Sequence, residues 1–312
     1  MTKYALANYA SRGGARAGLV VADKLFDAAE ALDDPRFATT LGALGAWTRF
    51  DRAVRKWLKS PDDKKSRGKR LSSARLLAPV QTPSAIFCAG ANYTDHVNEM
   101  SRALNVPREE DPHKLGLNPW HFIKTVGTIT GPDAEVEIPA FSTMVDWEAE
   151  LVAVIGKPAR NVSIDKALDH VAGYMIGNDL SARDHVSRPK IAEGSPFKFD
   201  WVSQKNWEGA CPVGPWIVPA SEISDPQRLS IKLSVNGRIR QDSHTSKMIF
   251  STAEQVAHLS TRLTLNPGDL VLTGTPAGVG AATREFLKAG DVVRIEIEKI
   301  GSLTTTMVKP AR

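Results

Sequence analysis

The sequence predicts a mixed, β-dominated protein: a small N-terminal α+β unit followed by a larger, strand-rich domain. Three observations carry this reading. From Ala78 onward, short apolar runs alternate with Gly/Pro turns. In that part only Ile164 to His170 and Ser251 to Arg262 read as helices, which argues against an alternating βαβ array. Before residue 75, strand-like runs precede one long helical pattern.

In chain order, Leu6 to Tyr9 and Ala17 to Val21 flank the turn signal Arg12-Gly13-Gly14 and predict paired strands. Phe37, Leu41, Leu44, Trp47, Val54 and Leu58 recur at helical spacing and predict an amphipathic helix. The turn Pro61-Asp62-Asp63 and a lysine-rich stretch close this unit, giving domains 1–75 and 76–312. The larger part holds strand-like runs at 85–90, 136–139, 151–156, 171–177, 216–219, 229–235 and 292–297. Asn236-Gly237 is a hairpin turn signal after one of them. No internal repeat or low-complexity segment interrupts the pattern.

With 42% apolar and 24% charged residues, the chain has the composition of a globular protein. Nothing approaches the roughly 18–20 apolar residues of a membrane span, and the first residues lack a signal-peptide pattern. Cys88 and Cys211 form neither a metal-spaced cluster nor a disulfide framework, so a cytoplasmic protein with reduced thiols is expected. The net charge is +5, yet residues 51–75 alone carry ten Lys/Arg against three Asp. A charge run of that kind reads as a solvated connector or a surface that attracts acidic small molecules. Without aromatic interleaving or a binding module, no nucleic-acid partner is expected.

The candidate chemistry begins at Asp146-Trp147-Glu148-Ala149-Glu150, which runs into Leu151 to Gly156. Side chains at i and i+2 share one strand face, so Glu148 and Glu150 place two carboxylates at the mouth of a buried run. Such a pair is costly without a cation. Asp179 closes another strand-like run, and three carboxylates suit Mg²⁺, with Mn²⁺ or Ca²⁺ as substitutes. The same spacing also fits glutamates on a solvated edge and an aspartate capping a helix. His96 and Glu99, spaced i and i+3 after a strand that leaves through Gly90, could form an oriented base. Lys205 reads as an oxyanion-stabilising cation or as a plain surface lysine. Arg183, one helical turn beyond Asp179, could grip a carboxylate with its two-pronged guanidinium. Leu265 to Gly280 lacks a Gly-Lys-Ser/Thr, so it is either a structural turn or a loop presenting amides and the Thr275 hydroxyl.

Taken together, these segments resemble the fumarylacetoacetate hydrolase family. The matching residues are Asn92 to Glu99, Asp146 to Leu151, Gly177 to Asp184, Lys205, Cys211 to Trp216, Gln241 to Phe250 and Pro267 to Gly280. Their order and spacing agree over residues 80 to about 300. The resemblance implies a fumarylacetoacetate hydrolase-type β-sandwich roll, a homodimer, and Mg²⁺ held by Glu148, Glu150 and Asp179. It further implies a water-activating dyad of His96 and Glu99, with Lys205, and substrate contacts from Tyr93, Arg183 and Thr275. Two departures bear on the substrate: Val186 and Glu208 stand where many relatives have glutamine and aspartate. The segment from Val186 to Trp201 is also longer than in compact members.

The expected activity is metal-dependent hydrolysis of a C–C bond in an acylpyruvate-like or β-diketo acid through an enolate. The alternative is isomerisation, decarboxylation, tautomerisation or hydration of a 2-oxo acid from aromatic-compound degradation. The intact set of His96, Glu99 and Lys205 argues against a retired, purely ligand-binding scaffold.

Overall fold

The computed structural model describes residues 4–60, 68–108 and 110–310. The expected turn at Pro61-Asp62-Asp63, with Lys64, Lys65 and Arg67, lies outside the described residues. Strands longer than two residues are β1 (Ala5–Ser11), β2 (Gly14–Val21), β3 (Lys24–Asp27), β4 (Ile86–Ala89), β5 (His121–Lys124), β6 (Ala134–Glu137) and β7 (Ala149–Ile155). They continue with β8 (Val171–Asn178), β9 (Cys211–Pro219), β10 (Ser230–Val235), β11 (Arg238–His244), β12 (Leu270–Leu272), β13 (Val292–Ile297) and β14 (Gly301–Val308). The helices that matter below are α1 (Trp47–Leu58), α2 (Thr94–Leu104), α3 (Trp201–Lys205) and α4 (Thr252–Arg262).

The large sheet runs β3-β2-β1-β9-β8-β7-β12-β4-β5. The expected N-terminal hairpin is present, with β1 and β2 paired from Ala5↔Val20 to Ser11↔Gly14. β1 also pairs with β9 at Leu6↔Ile217, so the N-terminal strands extend the sheet of the larger part. The second sheet, β11-β10-β13-β14-β6, packs on one face of the first.

β7 shows how the layers form. Leu151, Ala153 and Ile155 share a core with Ile231, Leu233, Ile295 and Leu303 of the second sheet. Val152 and Val154 point the other way, into a core with Phe50, Val54 and Trp57 of α1. A strand buried on both faces reads as a continuous apolar run. Each large side chain buried in this way contributes about 1.5–3 kcal/mol.

The helix expected from Phe37 to Leu58 is broken into a 3₁₀ turn (Pro35–Ala38), a short helix (Thr40–Gly45) and α1. The side chain of Thr39 accepts from the Gly42 amide and starts a new helix there. Gly45 and the non-helical Ala46 (φ −125°) then separate that helix from α1. The stretch expected from Ile164 to His170 is one α-helical turn followed by a 3₁₀ turn. The stretch from Ser251 forms α4, with a capping box between Ser251 and Glu254.

Candidate active site

The acidic residues lie where β7 and β8 meet. The pairing sets Glu150 opposite Gly177 and Ala149 opposite Asn178. The Asp179 amide donates to the Glu148 carbonyl (3.0 Å), and the Glu148 amide donates to Asn178 Oδ1 (3.1 Å). These bonds bring one oxygen each of Glu148, Glu150 and Asp179 within 4.8 Å of one another, all three residues being buried. A Cβ at Gly177 would meet the Val152 side chain at 2.7 Å, so glycine lets the strands pack closely beside the set. A solvated edge is therefore excluded for the pair.

Three cations surround the set. Lys205, buried on α3, donates to Glu148 Oε2 and Asp179 Oδ2, both at 2.8 Å. The plain surface reading of this lysine is thereby corrected: the short α3 packs its end against the sheet. Lys124, at the end of β5, donates to Asp179 Oδ1 (2.6 Å) and to the Leu180 carbonyl (3.0 Å). Arg183 donates from Nε to Asp146 (2.8 Å) and from Nη2 to Glu148 Oε1 (2.5 Å).

Burial alone would raise the Glu148 carboxyl, but Lys205 and Arg183 outweigh it and hold the group below the usual range. Glu150 goes the opposite way. Burial, then the charges of Asp179 and Glu148, push it up, and the Gly274 amide at 2.7 Å compensates only in part. Its Oε1 is buried without a hydrogen-bond partner. An orphaned oxygen within a three-carboxylate donor set is what a hard divalent cation needs, so these residues fit one.

His96 and Glu99 occupy one face of α2 at the same mouth. Burial lowers the His96 imidazole, while the charge of Glu148 opposes that shift. Nδ1 of His96 stands 4.0 Å from Glu99 Oε2, beyond hydrogen-bond length, and has no other partner. Glu99 instead accepts the Gly278 amide with both oxygens, at 2.8 and 3.0 Å. The expected dyad is thus brought together but not hydrogen-bonded, because the glycine-rich loop holds the carboxylate.

That loop ties the site together. Asp146, fully buried, accepts the amides of Gly280 (2.6 Å) and Ala281 (3.0 Å) as well as Arg183. Gln241 takes the Ala149 amide on Oε1 and donates from Nε2 to Thr275 Oγ1, both at 2.9 Å. Thr275 therefore sits in a loop tied to β7 through Gln241 of β11. Asn92 fixes the entry to α2 by bonding the carbonyls of Phe250 and Thr273 and the Phe250 amide. Next to it, the buried Tyr93 hydroxyl has no partner. Burial and the nearby Glu150 charge keep it protonated.

Sequence reasoning missed Lys124, the anchoring role of Asp146 and the Gly278 amide. A lysine ending the short run Phe122-Ile123-Lys124 carries the same signal as glutamates at the start of a buried strand. The amides carry no residue-type signal at all.

The model of the fumarylacetoacetate hydrolase C-terminal domain matches residues 85–308. An oxaloacetate tautomerase from Xenopus laevis, described as mitochondrial, is 42% identical, spanning 76% of this chain and 69% of its own length. A 2,4-didehydro-3-deoxy-L-rhamnonate hydrolase from a Sphingomonas strain is 41% identical over 73% of this chain and 74% of its own. Among solved structures, maleylpyruvate hydrolase from Sphingobium, in complex with manganese(II) and pyruvate, superposes with a TM-score of 0.74. That pair is 25% identical, and the match covers 98% of this chain and 100% of the other.

Proposed function

The chain belongs to the fumarylacetoacetate hydrolase family, and from that premise we propose that it hydrolyses a C–C bond of an acylpyruvate-like or β-diketo acid. The observation that carries this reading is a buried imidazole with a free nitrogen, electrostatically coupled to Glu148 of the carboxylate set. Glu148, Glu150 and Asp179 would hold a divalent ion, for which Mg²⁺ is proposed and Mn²⁺ is supported by the manganese-bound relative. When bound, such an ion supplies Lewis-acid polarisation and orientation of a 2-oxo acid.

In the proposed reaction, His96 acts as general base and removes a proton from water. The hydroxide equivalent attacks the carbonyl remote from the carboxylate. The C–C bond then breaks, and its electron pair leaves as an enolate, which takes up a proton to give the 2-oxo acid. Water is consumed and two acids result. Glu99 orients the imidazole, and its present 4.0 Å spacing would tighten with substrate bound. Lys205 provides positive charge where the enolate develops. Tyr93, Arg183 and Thr275 would contact the substrate. The free Tyr93 hydroxyl supports that role, and Arg183 would do so while remaining on Asp146 and Glu148.

Two further proposals concern the molecule as a whole. Ile123, Phe197 and Val202 are 57%, 67% and 63% exposed, and Trp201 of α3 stacks on Phe122 of β5. An apolar surface of this kind supports a homodimer. The two buried free thiols, Cys88 and Cys211, suit a reducing compartment such as the cytoplasm.

A second reading, keto–enol tautomerisation of a 2-oxo diacid, is favoured by the 42% identical relative. It would use the same imidazole for proton transfer at carbon, without consuming water. His96→Ala is expected to abolish turnover of an acylpyruvate while divalent-ion affinity, read by calorimetry, stays nearly intact. Retained turnover in that variant would remove His96 as the base.

A further inference from the structure

A second cluster of charged groups lies beside Trp147 and takes no part in the chemistry proposed above. A cavity of about 540 Å³ is walled by Trp147, the β10–β11 hairpin and the segment 284–291. Arg238, Arg240, Arg284 and Lys288 line it together. Its two acidic residues are already engaged. Glu285 pairs with Arg240, and Asp291 accepts Asn236 Nδ2 (2.8 Å) and the Lys288 amide (2.7 Å). Among the described residues, Arg238, Arg284 and Lys288 have no acidic partner. Arg240 lies over the Trp147 ring, 5.7 Å from its centroid, and its Nε is buried without a hydrogen-bond partner.

Three uncompensated cations around one concave space raise the local concentration of anions. The Arg240 guanidinium, held by Glu285 and by packing over Trp147, forms one wall of this space. Guanidinium groups match phosphate oxygens with paired hydrogen bonds, and a multivalent anion can engage Arg238, Arg284 and Lys288 together, whereas a single carboxylate has too few oxygens and too little charge for all three. None of the carboxylates or dyad residues of the proposed active site lines this cavity.

We propose that the cavity binds a small multivalent anion of the phosphate class, separately from the 2-oxo acid site. The inference stands whether or not the proposed hydrolysis is correct.

The test titrates inorganic pyrophosphate into the Mg²⁺-loaded protein by calorimetry, with free Mg²⁺ in excess throughout. Saturable binding is expected. In the double variant Arg238→Ser/Arg284→Ser, affinity should fall by about tenfold or more, two charge-assisted contacts having been lost. Both residues are exposed, so the variant should fold, and an unchanged thermal transition would verify this. Adding saturating pyruvate should leave pyrophosphate binding in place. Absence of saturable binding, equal affinity in the variant, or displacement by pyruvate would each overturn the proposal.

Discussion

Glu150 ends with one oxygen on the Gly274 amide and the other without a partner, while burial and two neighbouring carboxylates all disfavour its charge. In Glu150→Gln that charge is gone and the shape is kept. The metal-free variant should therefore be at least as stable in urea as the parent, while Mn²⁺ affinity falls by about tenfold or more. Loss of stability with unchanged ion affinity would show that Glu150 is a structural group. His96 makes a second prediction at this scale. A base works in its neutral form, so activity is lost as pH falls through the imidazole value. Burial lowers that value from the ordinary 6.5. The acid limb of the kcat/KM profile should accordingly lie below pH 6.5; a limb above 6.5 would contradict the neutral, desolvated base. At residue scale the site was partly legible. Glu148, Glu150 and Asp179 announced themselves because acidic residues beside apolar runs are costly. Lys205 did not, since α3 has only five residues and too little periodicity to show which side is buried.

Among the elements, the loop after β12 joins the two halves of the site. Its Gly278 amide holds Glu99, and Gly280 and Ala281 hold Asp146. Gly278 has φ +101°, where a side chain is strained, and a Cβ there would collide with the Arg240 carbonyl oxygen. Gly278→Ala should therefore release Glu99, lower kcat by about tenfold or more and cost about 1–3 kcal/mol of stability. Ion affinity should change little, because Gly278 touches none of Glu148, Glu150 and Asp179, the proposed ligands. Wild-type kinetics in this variant would show that the loop does not position the dyad. The glycine pattern of the loop was readable, but its bonding was not: amides look alike in every sequence. β7 was legible as a strand because both of its faces are covered. The helix expected from Phe37 to Leu58 was not legible in its true form, because the capping bond of Thr39 breaks it locally while the apolar spacing continues.

For the whole molecule, the two-sheet architecture explains why so many polar groups can be buried in one place. β7 and β8 lie at the centre of the large sheet, covered by the second sheet on one face and by α1 and its neighbours on the other. Their ends form a mouth with a low local dielectric, where charges interact strongly and unpaired ones are costly. The strand-rich class and the order of the runs were legible from alternating apolar and turn segments. That the N-terminal hairpin would join the large sheet through Leu6↔Ile217 was not, because pairing over such a separation leaves no local mark.

Under the proposed function this mouth runs ion-dependent hydrolysis rather than a rearrangement. The direct measurement follows an acylpyruvate by its enol absorbance and by mass spectrometry of the products, with Mg²⁺ and with EDTA. Hydrolysis predicts loss of the enol band only with Mg²⁺, together with two acids whose masses sum to substrate plus water. Loss of the band with no change of mass, or turnover unaffected by EDTA, would contradict it.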